Sequence, residues 1–155
     1  MGYTHYWKMN KVKNITAKKL EETYQKAIKE CQKIALTYNN SCKVLGLDEE
    51  RLSGYSAHCK VGQYGGINLN GKEDLMHEDF ILREHFNQNE NFNFCKTAQK
   101  PYDIVVVACL AVLKYRLKDN IVVSSDGDSK DWTKGIELAN HVLKLKIKNP
   151  ITDQD

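Results

Sequence analysis

Pro101-Tyr102-Asp103-Ile104-Val105-Val106-Val107-Ala108-Cys109-Leu110-Ala111-Val112-Leu113-Lys114-Tyr115-Arg116-Leu117 is the stretch whose reading decides the fold. Read as a strand, it would be the central ribbon of a sheet. Read as a helix, it is a buried rod with a sheet laid against it. The run of β-branched side chains from Ile104 to Val107 favours the strand. Length favours the helix, because Tyr102 to Leu117 is far longer than a usual strand. Pro101 suits a first helical turn, and Asp103 there complements the helix dipole. The expectation is therefore a buried helix from Tyr102 to Leu117.

Upstream, Gly2 to Lys8 alternates, with Tyr3, His5 and Trp7 on one side and Thr4, Tyr6 and Lys8 on the other, which reads as a strand. Thr16 then serves as an N-cap between the staple positions Ile15 and Leu20. Leu20, Tyr24, Ala27, Ile28, Cys31, Ile34, Ala35 and Tyr38 recur at helical spacing, and Asn39-Asn40 reads as the stop. Short strands are expected at Cys42–Leu47, Gly66–Leu69, Glu78–Arg83, Phe92–Cys95 and Ile121–Ser125, with Asn70-Gly71 as a turn. Asp48 to Gly66 reads as a loop, and Asp131 as the cap of a last helix through Trp132, Ile136, Ala139 and Val142. The fold class expected is α+β or mixed α/β, a single sheet of about five strands covered by two to three helices. One domain over 1–149 and a frayed tail over 150–155 follow from the length of 155 residues.

Composition excludes several classes. Hydrophobic residues make up 41% and charged ones 28%, as in soluble globular chains. A net charge of +3 with no concentrated basic stripe argues against a nucleic-acid polymer as partner. No run reaches membrane-spanning length. Five cysteines, an odd count without a Cys-x-x-Cys pair, point to a reduced, cytoplasmic chain.

Chemistry-bearing residues concentrate in three places. Cys95-Lys96-Thr97 with Lys100, just ahead of a helix start, forms an anion site on paper, although Asp103 is placed to neutralise Lys100. Asp126 and Asp128 follow a strand end and precede Trp132, where ligands are often contacted; turn and cap chemistry account for the same residues, and no calcium-loop glutamate closes the pattern. Tyr3, His5 and Trp7 offer ring-stacking surface, but aromatics in strands are more often core, and His5 has no visible carboxylate partner. Arg83 suits bidentate phosphate recognition. His77 and His85 match no zinc spacing, and neither a metal nor a cofactor is expected. Cys95 as a nucleophile lowered by Lys96 is weighed against an inert half-buried thiol beside Phe92 and Phe94.

Gly2-Tyr3-Thr4-His5-Tyr6-Trp7, Leu69-Asn70-Gly71, Glu78-Asp79-Phe80, Phe94-Cys95-Lys96-Thr97-Ala98, Lys100-Pro101-Tyr102-Asp103 and Ser124-Ser125-Asp126-Gly127-Asp128 with Trp132 resemble stations of a group of small phage and prophage proteins of obscure function. Leu69 stands where those relatives tend to have phenylalanine. The resemblance implies a bacterial host cell and hands over no catalytic residues. By analogy with phage sponges, it implies sequestration of a cyclic or ADP-ribose-type nucleotide immune signal. Ligand contacts are then expected from Tyr3, His5, Trp7, Asn70, Arg83, Cys95, Lys96, Thr97, Lys100, Asp126, Asp128 and Trp132. An enzyme hydrolysing such a nucleotide and an inhibitor of a host protein are the alternatives. A homo-oligomer completing the pocket is compatible with all three.

Overall fold

Helix α2, Asp103–Leu117, is the axis of the protein. Every residue from Val105 to Leu113 is fully shielded from solvent, so the β-branched run is tolerated because packing on all sides outweighs propensity. The computed structural model describes residues 2–12, 14–53, 66–89 and 92–151. Helix α1, Ala17–Val44, and helix α3, Ser129–Leu143, pack against α2. Small residues set the approach: a Cβ on Gly135 would lie 2.4 Å from Val107 Cγ1. Arg116 of α2 holds Glu30 of α1 through two parallel hydrogen bonds, at 2.8 and 2.7 Å.

The sheet is not a single five-stranded one. Strands β1 (Thr4–Met9), β4 (Asn93–Lys96) and β5 (Ile121–Ser125) form an antiparallel sheet in the order β4-β1-β5. Among the described residues, strands β2 (Ile67–Leu69) and β3 (Phe80–Leu82) pair only with each other. The two sheets stop short of joining because polar groups near β3 occupy the free edge of β4. The Glu78 carboxylate accepts from Lys96 N–H at 3.3 Å, while Lys96 C=O accepts from Glu78 N–H at 3.2 Å and from the His77 ring at 2.8 Å. The architecture is α+β, with the three helices on one side of the larger sheet and its other face not covered by any described element.

Three local expectations change. Cys42–Leu47 is no strand: α1 runs through Asn39-Asn40 to Val44, because the buried Asn39 side chain accepts from Leu52 N–H at 2.8 Å and so holds the following loop. Just past the helix, Gly46 takes a φ of +73° that supports the bond from Leu47 N–H back to Cys42 C=O. Asn70-Gly71 does not make a tight hairpin. The Asn70 side chain instead ties a longer connection, accepting from Gly71 and His77 N–H and donating to His77 C=O and Asp79. The cap of α3 is Asp128, not Asp131. Asp131 closes the capping box from the third helical position.

Beyond α3 the chain continues without regular structure to Ile151, and Ile147 is buried where Asn140 clamps its backbone. Cys31, Cys42, Cys95 and Cys109 are free and buried. Cys59 and most of the Gly-rich loop lie outside the described residues. No helix among the described residues is long and apolar enough to cross a membrane.

Candidate functional site

The three chemistry-bearing segments meet at one corner, where β1 begins and β4 and β5 end. Thr97 and Ala98 N–H both donate to Tyr3 C=O, at 3.1 and 3.3 Å. On the other side, Thr4 N–H donates to the Asp126 carboxylate at 3.1 Å, and Asp126 N–H returns to Thr4 C=O at 2.9 Å. Backbone pairing of the strands fixes this corner, so its side chains are positioned by the sheet and not by a mobile loop.

Alternation then divides the corner into two faces. On the helix-facing side, His5 is wholly buried. Its Nε2 lies 2.6 Å from Asp103 Oδ1 and its Nδ1 lies 2.8 Å from Ser125 Oγ. Thr97 Oγ1 donates to the same Asp103 oxygen at 2.6 Å, and Gly127 N–H donates to Ser125 Oγ at 2.9 Å. An ionised Asp103 only accepts, so the proton of a neutral His5 sits on Nε2, and Nδ1 accepts the Ser125 hydroxyl proton. Tyr3 and Trp132 touch the imidazole edge-on, with ring centroids 5.1 and 5.4 Å away. Among the described residues Tyr3 Oη and Trp132 Nε1 are buried with no hydrogen bond of ordinary geometry, and the Ser125 hydroxyl lies beside Tyr3 Oη. Burial, followed by the charges of Asp103 and Asp131, pushes the Tyr3 phenol well above its ordinary pKa, so it keeps its proton at neutral pH.

The opposite face of the same sheet is open. Tyr6 stacks on Phe92 with centroids 5.4 Å apart, and Phe92 lies 6.0 Å from Phe94. Phe92 is 59% and Phe94 56% exposed, unusual for two adjacent phenylalanines. Lys96 follows Phe94 on that side, pairs across the strands with Thr4, and lays its side chain over Gly2, where a Cβ would lie 2.4 Å from Lys96 Cε. Tyr6 Oη donates to Asp126 Oδ1 at 3.1 Å, which joins the aromatic group to the end of β5. Among the described residues neither Lys96 nor Lys100 forms an ion pair. Asp103, which sequence placed beside Lys100, is committed to His5 and Thr97. Between the two lysines, Ala98 and Gln99 carry φ of +52° and +55° in a turn closed by Lys100 N–H to Thr97 C=O at 3.1 Å. Non-glycine residues held there cost roughly 1–3 kcal/mol each, a strain often found at functional sites.

The expected contact residues thus separate. Tyr3, His5, Thr97, Asp126, Asp128, Trp132, Lys96 and Lys100 come from the segments joined at the corner. Trp7 is buried against Phe80, with ring centroids 5.3 Å apart. Cys95 is buried too, and desolvation pushes its thiol up to about 12, which leaves it inert as a nucleophile. Asn70 is spent on its loop. Arg83 leaves β3 at the end away from the 77–79 turn and lines a separate open groove of about 800 Å³ with Asn68, Asp79 and His85. Asp128 and Asp131 satisfy each other's backbone, and no acidic, histidine or cysteine cluster among the described residues is arranged to hold a metal.

Sequence reasoning missed Asp103 and Ser125 as the partners of His5, and Tyr6, Phe92 and Phe94 as the exposed rings. Period-two alternation outward from Trp7 and Cys95 carried the signal for the second group. No family model, characterised protein or solved structure matches this chain. The functional reading therefore rests on the geometry of the corner.

Proposed function

We propose that the protein binds a nucleotide-type small molecule on the open face of the sheet, with a planar ring stacked on Tyr6, Phe92 and Phe94 and a phosphate at Lys96. The observation that carries this reading is an exposed aromatic cluster beside Lys96, an ammonium without an ion pair among the described residues, on one rigid face. Stacking on aromatic side chains contributes about 1–3 kcal/mol per base whatever the base. A single ring and one charge contact give weak binding by themselves. A ligand with a second ring or several phosphates gains from contacts made without further loss of freedom, which favours cyclic and ADP-ribose-type nucleotides over mononucleotides. The resemblance to small phage proteins supplies a biological sense: a host immune signal is silenced by being held.

Calorimetric titration of a panel of such nucleotides tests the reading. Binding should be seen for at least one, and lost in both Phe94→Ala and Lys96→Glu. Equal affinity in wild type and both variants would contradict it.

A protein partner is the second reading. Val122, 55% exposed on the same face of β5, extends the apolar patch away from Lys96. A partner of that kind would be lost on Phe94→Ala and Val122→Asp while tolerating Lys96→Glu.

A further inference from the structure

We infer that Ser125 is a nucleophile activated by His5, in a second site on the helix-facing side of the corner, and that the substrate class is an uncharged carboxylic ester. This stands apart from ligand binding on the open face and does not depend on it.

Three features required of such a site are present together. A hydroxyl lies within hydrogen-bond reach of a base, Ser125 Oγ to His5 Nδ1 at 2.8 Å. A third group orients the base, Asp103 at 2.6 Å from Nε2, and Thr97 in turn fixes that carboxylate. Tyr3 and Trp132, whose rings pack edge-on against the same imidazole, carry two buried donors, Oη and Nε1, that make no hydrogen bond of ordinary geometry among the described residues, and the Ser125 hydroxyl lies beside Tyr3 Oη. A phenol or indole N–H waiting for an acceptor is what a developing oxyanion requires. Gly127 permits the arrangement, since a Cβ there would lie 2.2 Å from Tyr3 Oη. Ser125 is half-buried, so an electrophile meets the serine and not the enclosed histidine. The bond from Gly127 N–H takes one lone pair of Oγ and leaves the other for attack.

The step balances without a further reactant besides water. Ser125 Oγ bonds the acyl carbon as its proton passes to His5 Nδ1. The bond from that carbon to the alcohol oxygen breaks, and the alcohol leaves with the proton from His5. Water then adds its oxygen to the acyl carbon, its proton travels through His5, and Ser125 is released. An uncharged acyl group fits better than a phosphate, because the Asp103 carboxylate lies 2.6 Å from His5 and the Asp126 carboxylate is held at the same corner by Thr4 N–H at 3.1 Å. Tyr3, Ser125 and His5 are the catalytic residues in this scheme, and Asp103 is a positioning residue.

Labelling of the full chain with a fluorophosphonate, followed by peptide mass mapping, tests the inference. The adjacent and exposed Ser124 serves as an internal standard of an ordinary serine. Ser125 should be modified at least a hundredfold faster than Ser124. His5→Gln and Asp103→Asn should each slow Ser125 at least tenfold at unchanged far-UV dichroism. Hydrolysis of p-nitrophenyl acetate should show an acyl-enzyme burst that Ser125→Ala removes. Equal labelling of Ser124 and Ser125 in the wild type would overturn the inference, whether or not the variants fold.

Discussion

Asp103 Oδ1 lies 2.6 Å from His5 Nε2, joining the first strand to the start of the central helix across 98 residues of chain. The same oxygen takes the Thr97 hydroxyl, so one atom ties β1, the turn after β4 and α2 together. Removing that acceptor and replacing it by an uncharged one should have different consequences.

Asp103→Ala leaves two donors unpaired, one on a wholly buried ring, and should cost about 3 kcal/mol of stability. Asp103→Asn keeps a carbonyl oxygen for both donors and loses only the charge, so its cost should be about 1 kcal/mol. Urea denaturation of the two variants checks the order. Equal losses would show that the shared oxygen is not the source of the stability.

Gly135→Ala forces a methyl group into Val107 and the Ile104 carbonyl, 2.4 and 3.0 Å from the new Cβ. Overpacking of this kind costs about 1–3 kcal/mol, and the better helix propensity of alanine returns up to about 1. Net destabilisation is expected in thermal unfolding. Val107→Ala on the same background should recover part of it.

The thiols of Cys31 and Cys95 should resist alkylation in the native state. Burial drives both upward, Cys95 to about 12 and Cys31, beside Cys109, well above the ordinary thiol value. In a Cys59→Ser background, iodoacetamide at pH 8 should modify neither until the protein is unfolded in urea. Rapid native modification of Cys95 would contradict its burial between β1 and Glu78.

His85 Nδ1 lies 2.7 Å from Glu21 Oε1 on the surface. The hydrogen bond to Glu21 raises the His85 pKa. For Glu21, partial burial pushes upward, but bonds from His85, Gln25 and Phe86 N–H prevail and hold the carboxyl below its ordinary value. The raised histidine contributes fully below its unfolded pKa, and that contribution fades as pH rises through the folded value. The lowered carboxylate contributes above its unfolded pKa and fades as pH falls through the folded value. The pair therefore contributes fully between the ordinary carboxyl value of about 4.5 and the ordinary imidazole value of about 6.5, and fades on either side. NMR titration should place the His85 midpoint above its ordinary value in wild type and return it there in Glu21→Gln.

The sequence carried the elements better than their partnerships. Buried α2 was legible from length and Pro101, and β5 from its apolar run at the right boundaries. The extent of α1 was not, because Asn39-Asn40 has the composition of a stop while its role is set by Leu52 in the next loop. One sheet was expected where two form, since the division depends on Glu78 occupying the β4 edge, a contact between side chain and backbone with no local signature. At the corner, His5 read as isolated because both its partners lie about a hundred residues away. Tyr6, Phe92 and Phe94 were visible as rings, and only the side taken by Trp7 and Cys95 reveals that they face solvent.

The most direct measurement is an NMR spectrum of the protein with a nucleotide whose binding calorimetry has detected, read for contacts between its base protons and aromatic side chains. Cross-peaks are expected to Phe92, Phe94 and Tyr6, with shift changes at Lys96 and none in the groove beside Arg83. Contacts at that groove, or no perturbation of the aromatic face by any nucleotide of the panel, would contradict the proposed function.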